Sequence, residues 1–123
     1  MAVESDGQTF YVADGYCNSR IIKYRAKPGN DGYHNVSWLN SWGEGNGAGF
    51  SIARSPYAFN VPHSLALAED KEMLCVADRE NGRIQCFSTV DGVFKKSIQP
   101  KELGSRVFGI DYTPANGEKN IIN

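Results

Sequence analysis

Two stretches of this chain, offset by 63 to 64 residues, carry one pattern. Phe10-Tyr11-Val12-Ala13-Asp14-Gly15-Tyr16-Cys17-Asn18-Ser19-Arg20-Ile21 aligns with Leu74-Cys75-Val76-Ala77-Asp78-Arg79-Glu80-Asn81-Gly82-Arg83-Ile84, with one extra residue in the first turn. Each is an apolar strand ending in Val-Ala-Asp, a polar turn holding Asn, then Arg-Ile opening a second strand. Such a unit cannot bury its apolar face alone and must stack on its neighbours. The offset exceeds the roughly 40–50 residues of a propeller blade. The excess falls in 28–59, rich in Gly, Asn, Ser and Tyr, with a strand pattern only around 36–42. We read that region as one strand plus an extended inter-blade loop.

The repeat also settles an ambiguous stretch. Taken alone, 64–74 has good helix formers and a Ser N-cap. Its second half must be the strand that 10–13 also forms, so Leu65 and Leu67 are expected to alternate with Ser64, Ala66 and Ala68, and 69–72 becomes a charged turn. Val107-Phe108-Gly109-Ile110-Asp111-Tyr112, followed by Pro114-Ala115-Asn116-Gly117-Glu118, restarts the cycle. The chain is expected to be all-β: the later strands of one blade, one complete blade and the opening of a third, in one partial domain spanning 1–123. A propeller of six or so blades needs on the order of 250–300 residues. With 123 residues the chain cannot close a ring. It is either a fragment of a longer protein or must assemble with copies of itself.

Composition removes other classes. Thirteen Lys+Arg against fourteen Asp+Glu leave a net charge of -1, with no basic field for phosphate backbones, so nucleic acid is excluded as the partner. No apolar run approaches the roughly 18 residues of a membrane helix. Residues 1–10 hold two acids and no base, unlike a secretory signal peptide, which fits a fragment. Thirteen Gly and five Pro punctuate the chain too often for a helical bundle.

The three cysteines leave alternatives open. In a reducing compartment they would be thiols; in a secreted chain an odd count implies a bond outside this sequence or a free thiol. Asn81-Gly82 is a hairpin signal. If Glu80 and Asn81 straddle the turn centre, Asp78 faces Arg83 and Cys75 faces Cys86. Directly opposed Cα atoms lie about 4.5–5.5 Å apart, within disulfide range. Geometry alone accommodates a disulfide and two buried thiols equally. A structural zinc site from Cys17, Cys75, Cys86 and a His is disfavoured, because spacings of 58 and 11 match no compact ligand pattern.

Val61-Pro62-His63-Ser64-Leu65-Ala66-Leu67, a spacer, then Leu74 to Phe87 resembles an NHL repeat. More specifically it resembles the peptidyl-alpha-hydroxyglycine alpha-amidating lyase family, the second catalytic domain of the peptide-amidating enzymes. Val12 to Ile21 matches that family in the preceding blade, and Trp42-Gly43-Glu44-Gly45 loosely matches its inter-blade loop. Val-Ala-Asp and Asn-x-Arg-Ile are general NHL features. Tyr16-Cys17-Asn18-Ser19-Arg20, Pro62-His63-Ser64-Leu65 and the Cys75/Cys86 hairpin are more specific.

The resemblance implies cleavage of the N–C bond of a peptide's C-terminal alpha-hydroxyglycine, giving a peptide amide and glyoxylate. Family members hold zinc on three histidines, with a tyrosine as base and arginines around the substrate. His63 matches a zinc-ligand position; by itself a His after Pro would be structural or exposed, since a catalytic zinc wants three protein ligands. Tyr16 matches the base; a phenol in water titrates near 10, so that role asks for an adjacent cation. Arg79 matches an active-site arginine, and its planar fork suits the substrate carboxylate. Arg20 and Arg83 occupy one position in both repeats and are read as scaffold. His34, in the loop around Asp31 to Asn35, lies outside any motif and is read as surface. Two zinc histidines and a further arginine are therefore missing, and the family's calcium has no locatable site, so this stretch should be catalytically incomplete.

The resemblance further implies a Cys75–Cys86 disulfide, with Cys17 bonded outside the chain, and a secretory location. It implies hydroxyglycine-extended peptides as substrates, and a copper monooxygenase domain as partner in the full-length protein. Asn35-Val36-Ser37 is an N-glycosylation sequon in a predicted loop. The rival reading is a non-catalytic NHL propeller serving as a protein-binding platform, which would need neither Pro-His-Ser nor paired cysteines.

Overall fold

The computed structural model describes residues 1–16, 18–43, 55–99 and 106–114. These form two four-stranded antiparallel sheets, each with its strands in chain order. The first holds β1 (Ala2–Val3), β2 (Thr9–Asp14), β3 (Arg20–Pro28) and β4 (His34–Trp42). The second holds β5 (Pro62–Ala68), β6 (Met73–Asp78), β7 (Arg83–Ser88) and β8 (Phe94–Ile98). Sequential up-and-down sheets of four strands are propeller blades. The first blade is fuller than expected from sequence. Two residues suffice for its opening strand, Ala2 pairing Tyr11 and Val3 pairing Phe10.

The two repeats form equivalent hairpins, β2–β3 and β6–β7, with Asp14 paired to Arg20 in one and Asp78 to Arg83 in the other. Cys75 faces Cys86 and Asp78 faces Arg83, as the hairpin register requires. The turn is a 3-10 turn over Arg79–Asn81, closed by Gly82 at φ 60°. Cys75 and Cys86 form a disulfide across the strands, with Cα atoms 4.0 Å apart. That excludes the paired-thiol alternative and a thiolate zinc site on these cysteines. Cys17 lies outside the described residues.

The helix-forming stretch is indeed strand, turn and strand. Glu69–Lys71 form a 3-10 turn, and Glu72, at φ 50°, returns its N–H to the Glu69 carbonyl at 3.0 Å. Tertiary burial overrides propensity here. The expected alternation fails, because Ala66 and Ala68 are buried along with Leu65. β5 lies against β1 and β2 of the first blade, while its other side is crossed by 106–114.

In 28–59, β3 continues to Pro28 and β4 starts at His34, earlier than the pattern at 36–42 suggested. A short turn joins them, Gly29 N–H donating to the Tyr33 carbonyl at 2.6 Å and Gly32 sitting at φ 86°. His34 and Asn35 are thus strand residues rather than loop residues, and both are exposed. Glu44 and Gly45 fall outside the described residues, as do 46–54. The third-blade opening, 106–114, makes no strand pairing among the described residues. It is held at three points: Val107 N–H donates to the Arg79 carbonyl (3.3 Å) in the turn after β6, Ile110 N–H to Ser64 Oγ (3.4 Å) in β5, and Tyr112 Oη to Asp70 (3.0 Å) in the turn after β5. Of the turn that was to follow, only Pro114 is described. No helix among the described residues is long and apolar enough to cross a membrane.

The core lies between the blades. Tyr11, Ile21 and Trp42 meet Leu65, Leu74, Val76 and Phe87, with Phe59 of the linker between them. Phe87 is the hub, with ring centroids 6.0 Å from Trp42 and 5.6 Å from Phe59.

The repeat carries one ion pair twice. Asp14 accepts from Arg20 Nε (2.9 Å) and Asn18 Nδ2 (2.8 Å). Asp78 accepts from Arg83 Nε (2.7 Å) and Asn81 Nδ2 (2.8 Å). Side-chain exposure is 45% and 27% for Arg20 and Asp14, but 9% and 0% for Arg83 and Asp78. Both arginines are scaffold, in unequal surroundings. Arg83→Ala should cost about 3–5 kcal/mol, because it strands a buried carboxylate. Arg20→Ala should change stability by no more than about 1 kcal/mol. Urea denaturation of the two variants compares them directly, and equal losses would refute the distinction.

Candidate active site

The ends of β2 and β6 present equivalent turns. After Asp14 comes Gly15-Tyr16; after Asp78 comes Arg79. Gly15 is required by close approach, since a Cβ there would overlap the carbonyl oxygen of Pro62 at the entry of β5. The first blade's turn therefore sits directly on the second blade. That contact brings Tyr16, 76% exposed, against Arg79. Arg79 Nη1 donates to Tyr16 Oη at 3.1 Å, and the guanidinium carbon lies 5.5 Å from the Tyr16 ring centroid. Arg79 Nε donates to Glu80 Oε1 at 2.9 Å, while Glu80 Oε2 accepts from Arg106 at 3.2 Å. Partial desolvation acts against the Arg79 charge, but the hydrogen bonds to Glu80 and Tyr16 outweigh it and raise its pKa. Arg79 stays a cation.

His63 enters by a different device. The β5–β6 pairing runs Pro62 to Asp78 and then Ser64 to Ala77, so His63 bulges from the ladder. Bulges re-aim side chains and are enriched beside functional sites. Val61, just upstream, sits at φ 55°, a costly conformation for a β-branched residue. Its carbonyl accepts from Arg79 N–H (3.3 Å), and the Asn60 carbonyl accepts from Glu80 N–H (3.0 Å). The His63 ring lies edge-on to Phe108 at 5.7 Å, with Nδ1 2.7 Å from the Phe108 carbonyl oxygen. A carbonyl only accepts, so Nδ1 carries a proton, and in the neutral tautomer this leaves the lone pair on Nε2. Phe108 also lies 5.3 Å from the Arg79 guanidinium carbon.

The structure thus gathers Tyr16, Arg79 and His63 at one end of the blades. It adds Phe108, Glu80 and Arg106, which carry no chemical signal in the sequence. His34 pairs with Pro28, at the end of the first sheet away from the Tyr16 turn. Asn35 pairs with Lys27 beside it. A zinc ligand held by a carbonyl at its second nitrogen is the usual arrangement, and His63 satisfies it. Among the described residues no group of three or more His, Cys, Asp or Glu side chains could hold a metal ion. His63 is the one residue here placed in that way, and no zinc centre is complete among the described residues.

Residues 59–87, from the linker through most of β7, match the NHL repeat. The chain is 40% identical over 118 residues to peptidyl-alpha-hydroxyglycine alpha-amidating lyase 1 of Drosophila melanogaster, covering 95% of this chain and 20% of that protein. It is 43% identical over 114 residues to peptidyl-glycine alpha-amidating monooxygenase B of Xenopus laevis, covering 93% of this chain and 12% of that protein. A probable peptidyl-alpha-hydroxyglycine alpha-amidating lyase of Caenorhabditis elegans is 50% identical over 88 residues, 72% of this chain and 21% of its own length. The chain spans about a fifth or less of these curated relatives.

Gly15→Ala tests the seat of the site. The added methyl must displace the Pro62 backbone, with a loss of about 1–3 kcal/mol and rupture of the Arg79–Tyr16 hydrogen bond. Gly109→Ala, where a methyl meets nothing within 4 Å, should be near neutral. Thermal melts of the pair and a crystal structure of Gly15→Ala check both statements.

Proposed function

We propose that this chain supplies part of the active site of a peptidyl-alpha-hydroxyglycine alpha-amidating lyase, an enzyme in its complete form. The observation that carries the reading is the hydrogen bond joining Arg79 of one blade to Tyr16 of the other. The reaction asks for a base at the carbinol hydroxyl and a cation at the neighbouring carboxylate. The hydroxyl proton is removed, the C–N bond breaks with its electrons passing to the amide nitrogen, and that nitrogen gains a proton. A peptide amide and glyoxylate result. Tyr16, as phenolate, takes the hydroxyl proton. The Arg79 charge beside Oη stabilises negative charge there. The Nη edge of the same guanidinium suits the carboxylate. A protein-binding platform needs no such pair, which favours the lyase over that alternative.

Zinc bound through His63 Nε2 and donors outside this chain would supply a Lewis acid for the hydroxyl. Calcium is assigned to no residue here. The substrates in this reading are peptides extended by a C-terminal hydroxyglycine, supplied by a copper monooxygenase domain of the full-length protein. The Xenopus relative's name supports that coupling. The Cys75–Cys86 disulfide supports an oxidising, secretory location, with Cys17 bonded elsewhere in the complete protein. Exposure of Asn35 supports glycosylation there.

In the full-length protein Tyr16→Phe should lower kcat by about 10²–10⁴ with KM and metal content kept, measured as glyoxylate release. Turnover near that of the parent would remove Tyr16 from the base role. After expression in a secretory host, N-glycosidase treatment should lower the mass of the protein carrying Asn35 by one glycan more than that of Asn35→Gln. No such difference would leave the sequon unused.

A further inference from the structure

We propose that Phe108 is a positioning residue for Arg79, whose ring holds the guanidinium so that a carboxylate ligand meets its Nη edge. The proposal rests on the reading of Arg79 as the carboxylate-binding group. Phe108 is 54% exposed, so burial of its ring does not account for its placement. Its neighbours do. The backbone around it is fastened to the two residues it would orient: Val107 N–H to the Arg79 carbonyl, and the Phe108 carbonyl to His63 Nδ1. Ile110 N–H on Ser64 Oγ fixes the segment two residues on. Segment 106–114 has no strand partner among the described residues, so these bonds rather than a ladder set the position of the ring.

The consequence falls on Arg79. Its guanidinium carbon lies 5.5 Å from one ring centroid, Tyr16, and 5.3 Å from another, Phe108. A cation within about 6 Å of an aromatic centroid is attracted to it. Nε is committed to Glu80 and one Nη1 hydrogen to Tyr16. The donors left lie on the Nη edge, where a carboxylate can be met bidentately. Without Phe108 the guanidinium keeps its charge but loses one of the two rings against which it is packed. Arginine binding depends on orientation as well as charge, so the loss should weaken recognition of an anion specifically. His63 is bound to the backbone of Phe108, not to its side chain, so a ring substitution separates the two contacts.

The full-length protein is titrated by calorimetry with a short peptide ending in a free glycine carboxylate and with its C-terminal amide. The parent should bind the acid more tightly. Phe108→Ala should weaken the acid by about 3- to 30-fold, leave the amide unchanged and raise KM rather than lower kcat. Phe108→Tyr should restore acid affinity to within about threefold. Unchanged acid affinity in Phe108→Ala, equal weakening of acid and amide, or failure of Phe108→Tyr to rescue would each overturn the proposal. If the ring dependence holds while no glyoxylate is released from a hydroxyglycine peptide, the lyase reading fails and the Phe108 assignment stands. Glyoxylate release with unchanged KM in Phe108→Ala gives the converse.

Discussion

A carboxylate with no solvent exposure, Asp78, fixes the geometry on which the rest of the second blade depends. Oδ1 accepts from the backbone of Asn60, and Oδ2 from Asn81 and Arg83. Arg83 Nη2 in turn donates to the carbonyls of Ser55 and Ala58 at 3.1 Å. One ion pair therefore ties the hairpin turn at 79–82 to the linker at 55–60. Burying such a pair costs desolvation, so its main return is a defined arrangement rather than stability. The arrangement matters because Arg79 is the next residue after Asp78, and His63 follows the linker by three residues from Asn60.

The same clamp accounts for strain at the site. Val61 persists at a positive φ, a conformation costing on the order of 1–3 kcal/mol, only where its surroundings over-determine it. Asn60 is held by Asp78, and the Asn60 and Val61 carbonyls are held by Glu80 and Arg79. Pro62, next in line, has its carbonyl closed off by Gly15 of the first blade. The chain has little freedom left between Asn60 and His63, and the bulge that turns His63 out of the ladder lies there. Strain, close packing and the outward turn of His63 are properties of one four-residue stretch.

The fold was legible because the second repeat supplied a check on the first. Asp, Asn and Arg recur at matched positions since each blade needs a carboxylate to close its turn, and the structure gives both sets the same bonds. The repeat also outvoted the helix propensity of 64–74 correctly. It misjudged Ala66 and Ala68, because an alternation argument assumes one wet face, whereas in β5 only His63 is exposed. Tyr16, Arg79 and His63 carried a motif, and the structure brings them to one end of the blades. Phe108 did not, as an isolated Phe in a strand-like run looks like core. Its exposure and its bonds to His63 are tertiary facts that no period in the sequence encodes. The difference between the two ion pairs, one wet and one dry, was equally out of reach, since the residues are identical.

The candidate site belongs to no single blade. Tyr16 comes from the turn of the first, His63 and Arg79 from the second, and Phe108 and Arg106 from the opening of a third. A blade's internal ladder fixes residues within a sheet, but the distance between Tyr16 and Arg79 is set by packing between sheets: the Phe87 aromatic hub, the Gly15–Pro62 approach and the linker clamp on Asp78. Chemistry at such a junction is sensitive to how blades stack. A displacement of about 1 Å between groups that must act together can cost about two orders of magnitude in rate. Packing residues that touch no substrate therefore bear on the site as directly as the polar residues that line it. The inter-blade aromatic core and the buried Asp78–Arg83 pair are as much a part of its construction as Tyr16 itself.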